Sequence, residues 1–451
     1  MTEFLVIGSG ISGIISAMIL GEDYKTEIIE KNPISSIGED IWIILNEYST
    51  RDLRSLGWLQ GDSDVVYFDE VQVHDIDGKT IAEYSFPLVA VKLRAIHEEA
   101  LRNTENYEIK DKLKATTIME KGGLIKKIKI EGKKHDVYSP SFIIDASGYF
   151  IFISRKNVIK EQHYLYRHNI YNFFQATLLD VYSNQDKSVL HLTICDAYTP
   201  GGFAFTFFHN DKAYICGFHN NYLTDIQLNR RANLIKNSLG IIGLLSKVKS
   251  KIIPLCHPLM DISYENAFFT GAATLTVYPL FISGIPHSMA MARDLSKNLI
   301  KTISENEDVK NTGLLYSKLY IQQHIYRGIL NDILRLLLLS IRSHEIEEAA
   351  SSILEVMKVF SKHEEIMPSL LNMADLATHL LSKMSLTRII QRLVGIIVQF
   401  YKSFRDMPTD KDNLNTRAKD YNTHYTKRVK DIINSELLRK VSIGEILKKM
   451  D

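Results

Sequence analysis

The sequence predicts an α/β protein in three parts: a βαβ-type unit at the start, an antiparallel sheet inserted into it, and a helical C-terminal region. Three observations carry this. An apolar strand, a glycine-rich turn, a helical stretch and a second apolar strand follow one another over residues 4–30. Residues 165–220 are rich in aromatic and β-branched side chains at alternating spacing. After about Lys301 apolar residues recur at helical spacing, and glycine and proline become scarce. A chain of 451 residues also exceeds the usual size of a single core, so two or three domains are expected.

The first strand is "FLVI" at residues 4–7, the helix continues over Ile14 to Leu20, and the second strand, "TEIIE", ends at Glu30. Between strand and helix lies Gly8-Ser9-Gly10-Ile11-Ser12-Gly13. Its glycines fall where the chain turns sharply, where backbone must approach a pyrophosphate, and where helix and strand pack closely. Phosphates would sit on the helix N-terminus, and Glu30 would accept the ribose hydroxyls of an adenosine, with Lys31 beside it. The unit therefore predicts dinucleotide binding. A βαβ fold whose glycines serve only packing is the alternative, and NAD and FAD satisfy the unit equally.

Tyr67 to Phe86 alternates polar and apolar residues around Asp77-Gly78, which predicts a hairpin. "VAVKLRAIHEEALRN" reads as a helix entered from a loop. "GLIKKIKIEGKKHDVY" carries its own Glu131-Gly132 turn and leads into the apolar strand of "SFIIDASG", residues 141–148. The stretch from Met407 on is highly charged and reads as a solvated helix pair or a partly disordered tail. No internal repeat and no low-complexity linker is found.

Lys plus Arg total 54 against 53 Asp plus Glu, so no overall field recruits nucleic acid. Cys195, Cys216 and Cys256 are too scattered for a disulfide framework or a C-x-x-C site, which fits a reducing, cytoplasmic setting. His163, His168, His191, His209 and His219 lack ligand spacing, so no metal site is expected. "MTEFLVIGSG" lacks a signal-type core, and no uncharged run reaches the length of a spanning helix, so a soluble protein without a transmembrane segment is expected. There is no G-x-S-x-G elbow and no P-loop, which argues against serine and nucleotide hydrolases.

Further segments separate FAD from NAD by resemblance. "SSIGEDIWIILNEYSTRDLRSLGW" resembles the "GE…L…LG" segment of flavin-dependent halogenases, and "IIDASG" resembles the strand end that passes the cofactor in the p-hydroxybenzoate hydroxylase-like class. "GAATLTVYPLFISGIPHSMAMA" resembles the second flavin-contacting segment, "GDAA…P…G…A", and the halogenase-type "PLFSSGVHLA" loop and helix. The resemblance to this FAD-dependent oxidoreductase superfamily, which includes monooxygenases, halogenases and geranylgeranyl reductase-like proteins, stops short of the C-terminal region. It implies a Rossmann-like FAD-binding domain built from 1–65, 90–155 and 255–305, a β-rich substrate domain from 66–89 and 156–254, and a helical domain over 306–451. It implies FAD as cofactor, held by Gly8, Ser9, Gly10, Ile11, Ser12, Gly13, Glu30, Lys31, Glu39, Arg94, Asp145, Gly148, Gly271, Ala272, Pro279, Ser283, Gly284 and Ile285. A proline-fixed turn and Gly284 would set backbone amides at a helix start against the flavin ring.

Two departures qualify the resemblance. Ala272 stands where the family has an Asp that bonds the cofactor, a loss of about 1.5–3 kcal/mol, or roughly ten- to a hundredfold in affinity. The strand "FAFTFF" keeps aromatic alternation but lacks the W-x-W-x-I-P of aromatic halogenases and the Y-x-W-x-F-P of prenyl reductases. Phe203, Phe205 and Phe207 share one sheet face, either as a wall for an apolar or aromatic substrate or as ordinary sheet core. For catalysis the only candidates are Lys79, at the hairpin turn, and His287, beside the flavin loop. The leading expectation is an FAD-dependent monooxygenase of a biosynthetic pathway, with a halogenase, a double-bond reductase and a degenerate scaffold protein as alternatives. With no second nucleotide-binding turn, a separate flavin reductase is the expected electron source, and the helical region could form a homodimer.

Overall fold

The computed structural model describes residues 3–36, 41–58, 64–75, 77–102, 105–122, 124–132, 136–148, 152–157, 170–193, 203–220, 223–254, 258–275 and 284–325, and then 395–396, 399–400, 402–404, 406 and 409–448. The chain opens with β1 (Phe4–Ile7), α1 (Ile11–Gly21) and β2 (Thr26–Ile29). All four residues of β1 are buried, as expected of a central parallel strand covered on both faces. It pairs in parallel with β2 on one side and with β10 (Phe142–Asp145) on the other. The sheet widens to β6 (Tyr107–Lys110) beyond β2, and to β17 (Ala267–Phe269) and a short antiparallel β16 (Ser263–Tyr264) beyond β10.

A second sheet of eight strands contains the predicted hairpin, β4 (Val65–His74) and β5 (Thr80–Lys92), with β3 (Trp42–Asn46) at its edge. Beyond β4 lie β12 (Leu190–Thr193), β13 (Ala204–His209), β14 (Lys212–Asn220), β11 (Ile170–Tyr182) and β15 (Ile242–Pro254). Only the β4–β12 pairing is parallel among these ladders. The Asp75 carboxylate builds the hairpin turn, accepting the backbone N–H of Asp77 at 2.9 Å and of Lys79 at 2.8 Å. A third sheet holds β7 (Lys114–Glu120), β8 (Ile125–Glu131) and β9 (Asp136–Tyr138).

Two elements differ from the sequence reading. The helix read from Val89 starts only at Leu93, as α3 (Leu93–Arg102), because Val89, Ala90 and Val91 complete a buried strand paired to β3 and β4. Residues 42–46, within the 1–65 that the resemblance gives to the FAD-binding domain, edge the large sheet. Their partner strand is chosen by tertiary pairing, with Trp42 in register with Lys92.

The two faces of the large sheet face different surroundings. Phe205, Phe207 and Phe218 join a core that runs on into β1 and α1, so the two main sheets share one apolar interior. On the other face Ala204, Phe208 and Ile215 pack with Leu228, Ala232 and Ile235 of α4 (Asp225–Ser238). After β17 come α5 (Gly284–Ser304), which packs along α1, and α6 (Val309–Tyr320). The Tyr316 hydroxyl of α6 donates to the Phe269 carbonyl at 3.2 Å. The long α7 (Lys411–Lys448) is anchored at its start, where Lys411 meets the Asp261 carboxylate at 3.2 Å and donates to the Ser263 carbonyl at 3.0 Å. Among the described residues, no helix is long and apolar enough to cross a membrane.

Candidate functional site

The glycine turn sits at the C-terminal end of β1, and its three glycines have different duties. At Gly8 φ is +99°, and a Cβ there would lie 2.5 Å from the Ala146 carbonyl oxygen. At Gly13 a Cβ would lie 2.1 Å from the Gly8 carbonyl oxygen. These two are demanded by close backbone approach. Gly10 is different, because a Cβ there would meet nothing within 4 Å. It is also the N-cap of α1, with no side-chain cap and no acidic residue in the helix's first turn. The positive end of α1 therefore faces an open space kept clear of side chain, which is the geometry an anion needs.

Glu30 closes the next edge of this space. Its Oε2 accepts both the backbone N–H and the hydroxyl of Ser9 at 3.0 Å, and its Oε1 accepts the Asn32 N–H at 2.9 Å. Beside it opens a cleft lined by Gly8, Glu30, Lys31, Lys114, Ser147 and Phe152, among others. Partial desolvation in the cleft lowers the Lys31 pKa, with Glu30 opposing the shift and Lys114 adding to it. Lys114 is brought here by backbone pairing: Glu30 N–H donates to the Lys110 carbonyl, and Leu113 N–H donates back to the Glu30 carbonyl, both at 2.9 Å. Nothing in the local sequence around Lys114 signals this. Ser147 was legible only as part of "DASG".

The segment Gly271–Thr274 forms a single tight 3-10 turn against the start of α1. Gly271 has φ +62°, and a Cβ there would lie 2.3 Å from the Ser12 hydroxyl oxygen. Ala272 follows, half-buried, next to the phosphate-type turn. Ile11, Ser12 and Gly13 are buried within α1, while Gly284 and Ile285 open α5, which packs on that turn. Glu39, Pro279 and Ser283 lie outside the described residues.

The remaining candidates lie on β10, α3, the β4–β5 turn and α5. The Asp145 carboxylate, fully buried, accepts N–H bonds from Ser147 at 3.1 Å, Ile153 at 2.6 Å and Ser154 at 2.9 Å. It shapes the loop carrying Gly148, whose φ is +61°. Arg94 projects from the first turn of α3 and pairs with Glu98 at 2.6 Å on the surface, as expected of i,i+4 partners. Lys79 is exposed at the hairpin tip. His287 is buried in the first turn of α5.

Phe203, Phe205 and Phe207 are buried on one face, as the alternation predicts. The Phe207 ring lies 5.4 Å from Trp42, 5.7 Å from Phe68 and 5.2 Å from Tyr214, so the stripe is the centre of an aromatic cluster. Trp42 carries Lys92 over its ring at 5.2 Å. Cys216 is buried beneath the same face and burial pushes its thiol pKa far up, which makes it unreactive at neutral pH.

No protein-family model and no curated protein matches the sequence. The fold does match solved structures. A geranylgeranyl bacteriochlorophyll reductase-like protein from Thermoplasma acidophilum aligns with a TM-score of 0.67 at 16% identity, over 87% of this chain and 98% of the other. A flavin-dependent brominase aligns with a TM-score of 0.60 at 12% identity, over 84% and 98%. A probable FAD-dependent monooxygenase from Pseudomonas aeruginosa aligns with a TM-score of 0.58 at 14% identity, over 75% and 96%. The parallel sheet with its glycine turn, the large second sheet and the helices after it are thus a fold shared with these solved structures.

Proposed function

We propose that this chain is an FAD-dependent oxidoreductase. The observation that carries the reading is the space at Gly10: a side-chain-free gap at the uncapped start of α1, flanked by the Ser9–Glu30 bonds on one side and the Gly271–Ala272 turn on the other. Those residues fit an adenosine diphosphate. Gly10 and the first turn of α1 would hold the pyrophosphate, and Glu30 would accept from the ribose. Lys31, Lys114 and Phe152 would border the adenosine end. Asp145 acts as a positioning residue, holding the loop of Ser147 and Gly148 against Gly8. The start of α5 would present backbone amides to the flavin ring.

Once reduced by an external donor, bound FAD would supply two electrons to oxygen, one oxygen atom passing to the substrate and the other leaving as water. The protein binds it, orients the substrate and excludes water. We read the activity as monooxygenation of an apolar or aromatic substrate, supported by the fold likeness to a probable FAD-dependent monooxygenase and to a p-nitrophenol 4-monooxygenase. A double-bond reductase is the second reading, supported by the likeness to the geranylgeranyl reductase-like protein over 87% of the chain. A halogenase has less support, because Lys79 is exposed at a hairpin tip.

The test is the visible absorbance of the purified protein after incubation with FAD and desalting. We expect a retained flavin spectrum, bleached on reduction and restored by air. Failure to retain flavin, even with reduced FAD under nitrogen, would sink the enzyme reading. Oxygen consumption driven by substrate, against turnover without oxygen, then separates monooxygenase from reductase.

A further inference from the structure

A buried pair of histidines on the large sheet is unrelated to the nucleotide site and independent of the flavin reading. His74 ends β4 and His191 lies on β12, and both are fully buried. Their rings form a chain between two backbone carbonyls. His74 Nδ1 lies 3.2 Å from the Gly78 carbonyl oxygen, His74 Nε2 lies 3.0 Å from His191 Nδ1, and His191 Nε2 lies 2.8 Å from the Asp186 carbonyl oxygen. A further group, the Thr80 hydroxyl, stands 3.4 Å from His74 Nδ1.

Counting hydrogens shows a conflict. Carbonyl oxygens only accept, so His191 Nε2 carries a hydrogen, and His74 Nδ1 carries one whenever it bonds Gly78. If both rings were neutral, His74 Nε2 and His191 Nδ1 would then be two lone pairs facing at 3.0 Å. Moving the His191 hydrogen to Nδ1 would only shift the clash, leaving Nε2 and the Asp186 carbonyl as two acceptors at 2.8 Å, so two arrangements relieve it. In the first, the pair holds one extra proton between the rings, and both carbonyls keep their donors. In the second, the pair is neutral: the His74 hydrogen moves to Nε2 and donates to His191, and Nδ1 becomes an acceptor for Thr80 while Gly78 loses its donor.

We infer that His74 and His191 form a one-proton latch, which transfers the His74 ring from Thr80 to Gly78 when a single proton enters. A second proton is excluded, because it would set two N–H groups against each other. The charged groups bearing on the pair are Asp75, Glu83 and Asp186, all carboxylates that favour the protonated form, opposed by the cost of burying a cation. The latch ties the 75–79 turn to the 183–188 loop. The turn is itself pressed on the end of α4, since a Cβ at Gly78 would lie 1.8 Å from the Ser238 carbonyl oxygen. A change of bonding at Gly78 would therefore reach α4.

The test is nitrogen NMR of the full chain labelled at histidine side chains, followed from neutral pH downward. The rings are assigned by comparison with His191→Gln. We expect one transition common to both rings, with His74 Nδ1 changing from acceptor to donor. Two independent transitions, or His74 Nδ1 protonated throughout, would overturn the latch. Thr80→Val, at the edge of the pair, removes the donor that favours the neutral form and should raise its proton affinity about tenfold. An unmoved transition in a folded Thr80→Val protein would equally overturn it, and this variant serves if His191→Gln does not fold.

Discussion

Ser9 and Glu30 are joined twice: the backbone N–H and the hydroxyl of Ser9 both donate to one carboxylate oxygen of Glu30 at 3.0 Å. The glycine turn is thereby tied to the end of β2, and the acid that would receive a ribose is already held in place. Rigidity of this kind reduces the ordering cost of binding. It also separates residues that build the site from residues that would touch the ligand.

Gly10 and Gly13 make that separation measurable. Gly10→Ala adds a methyl into open space at φ −63°, so the melting temperature should stay close to the parent while flavin retention is lost. Gly13→Ala drives a methyl into the Gly8 carbonyl and should destabilise the fold itself by several kcal/mol. Equal flavin retention in Gly10→Ala and parent would show that the cofactor does not approach this glycine.

Ala272→Asp places a carboxylate in a half-buried turn beside α1, at the position where the sequence resemblance expects a cofactor-bonding Asp. We expect FAD to bind about ten- to a hundredfold more tightly, as one added charge-assisted bond allows. Fluorescence titration of the apoprotein measures this. An unchanged or weaker affinity would mean that the turn no longer faces the cofactor.

Asp145→Ala should cost stability rather than remove a ligand contact. Two buried N–H groups and a half-buried one lose their acceptor, which corresponds to about 3 kcal/mol. Asp145→Asn keeps one oxygen and should recover part of the loss in urea unfolding.

Lys411→Ala should loosen the start of α7. The Asp261 side chain is 8% exposed and its Lys411 partner 29%, so a burial-weighted loss of about 2 kcal/mol is expected. Limited proteolysis should then cut before α7 more readily than in the parent chain.

Stability should fall with acid in a defined window. Burial lowers the pKa of His74, and that of His191 to about 4, below the ordinary 6.5. Groups with depressed folded-state values leave the unfolded chain holding more protons, so stability is complete above pH 6.5 and declines as pH falls toward 4. The loss is on the order of 3 kcal/mol, read from urea midpoints. A flat profile across this window would contradict the buried, largely neutral pair.

The sequence alone determined the elements whose signals are local. The βαβ opening with Gly8, Gly10, Gly13 and Glu30, the hairpin at Asp77-Gly78 and the aromatic alternation from Phe203 all depend on periodicity or on turn chemistry within a few residues. Tertiary structure alone decided what depends on which strands become neighbours. It placed Trp42–Asn46 on the large sheet, brought Lys114 to the cleft and turned Asp145 into its own loop. It also set His74 against His191 across 117 positions of chain. Hydrogen-bond geometry fixes a side chain's role only once its partners are assembled, and for these residues the partners come from distant strands or from loops folded back on them.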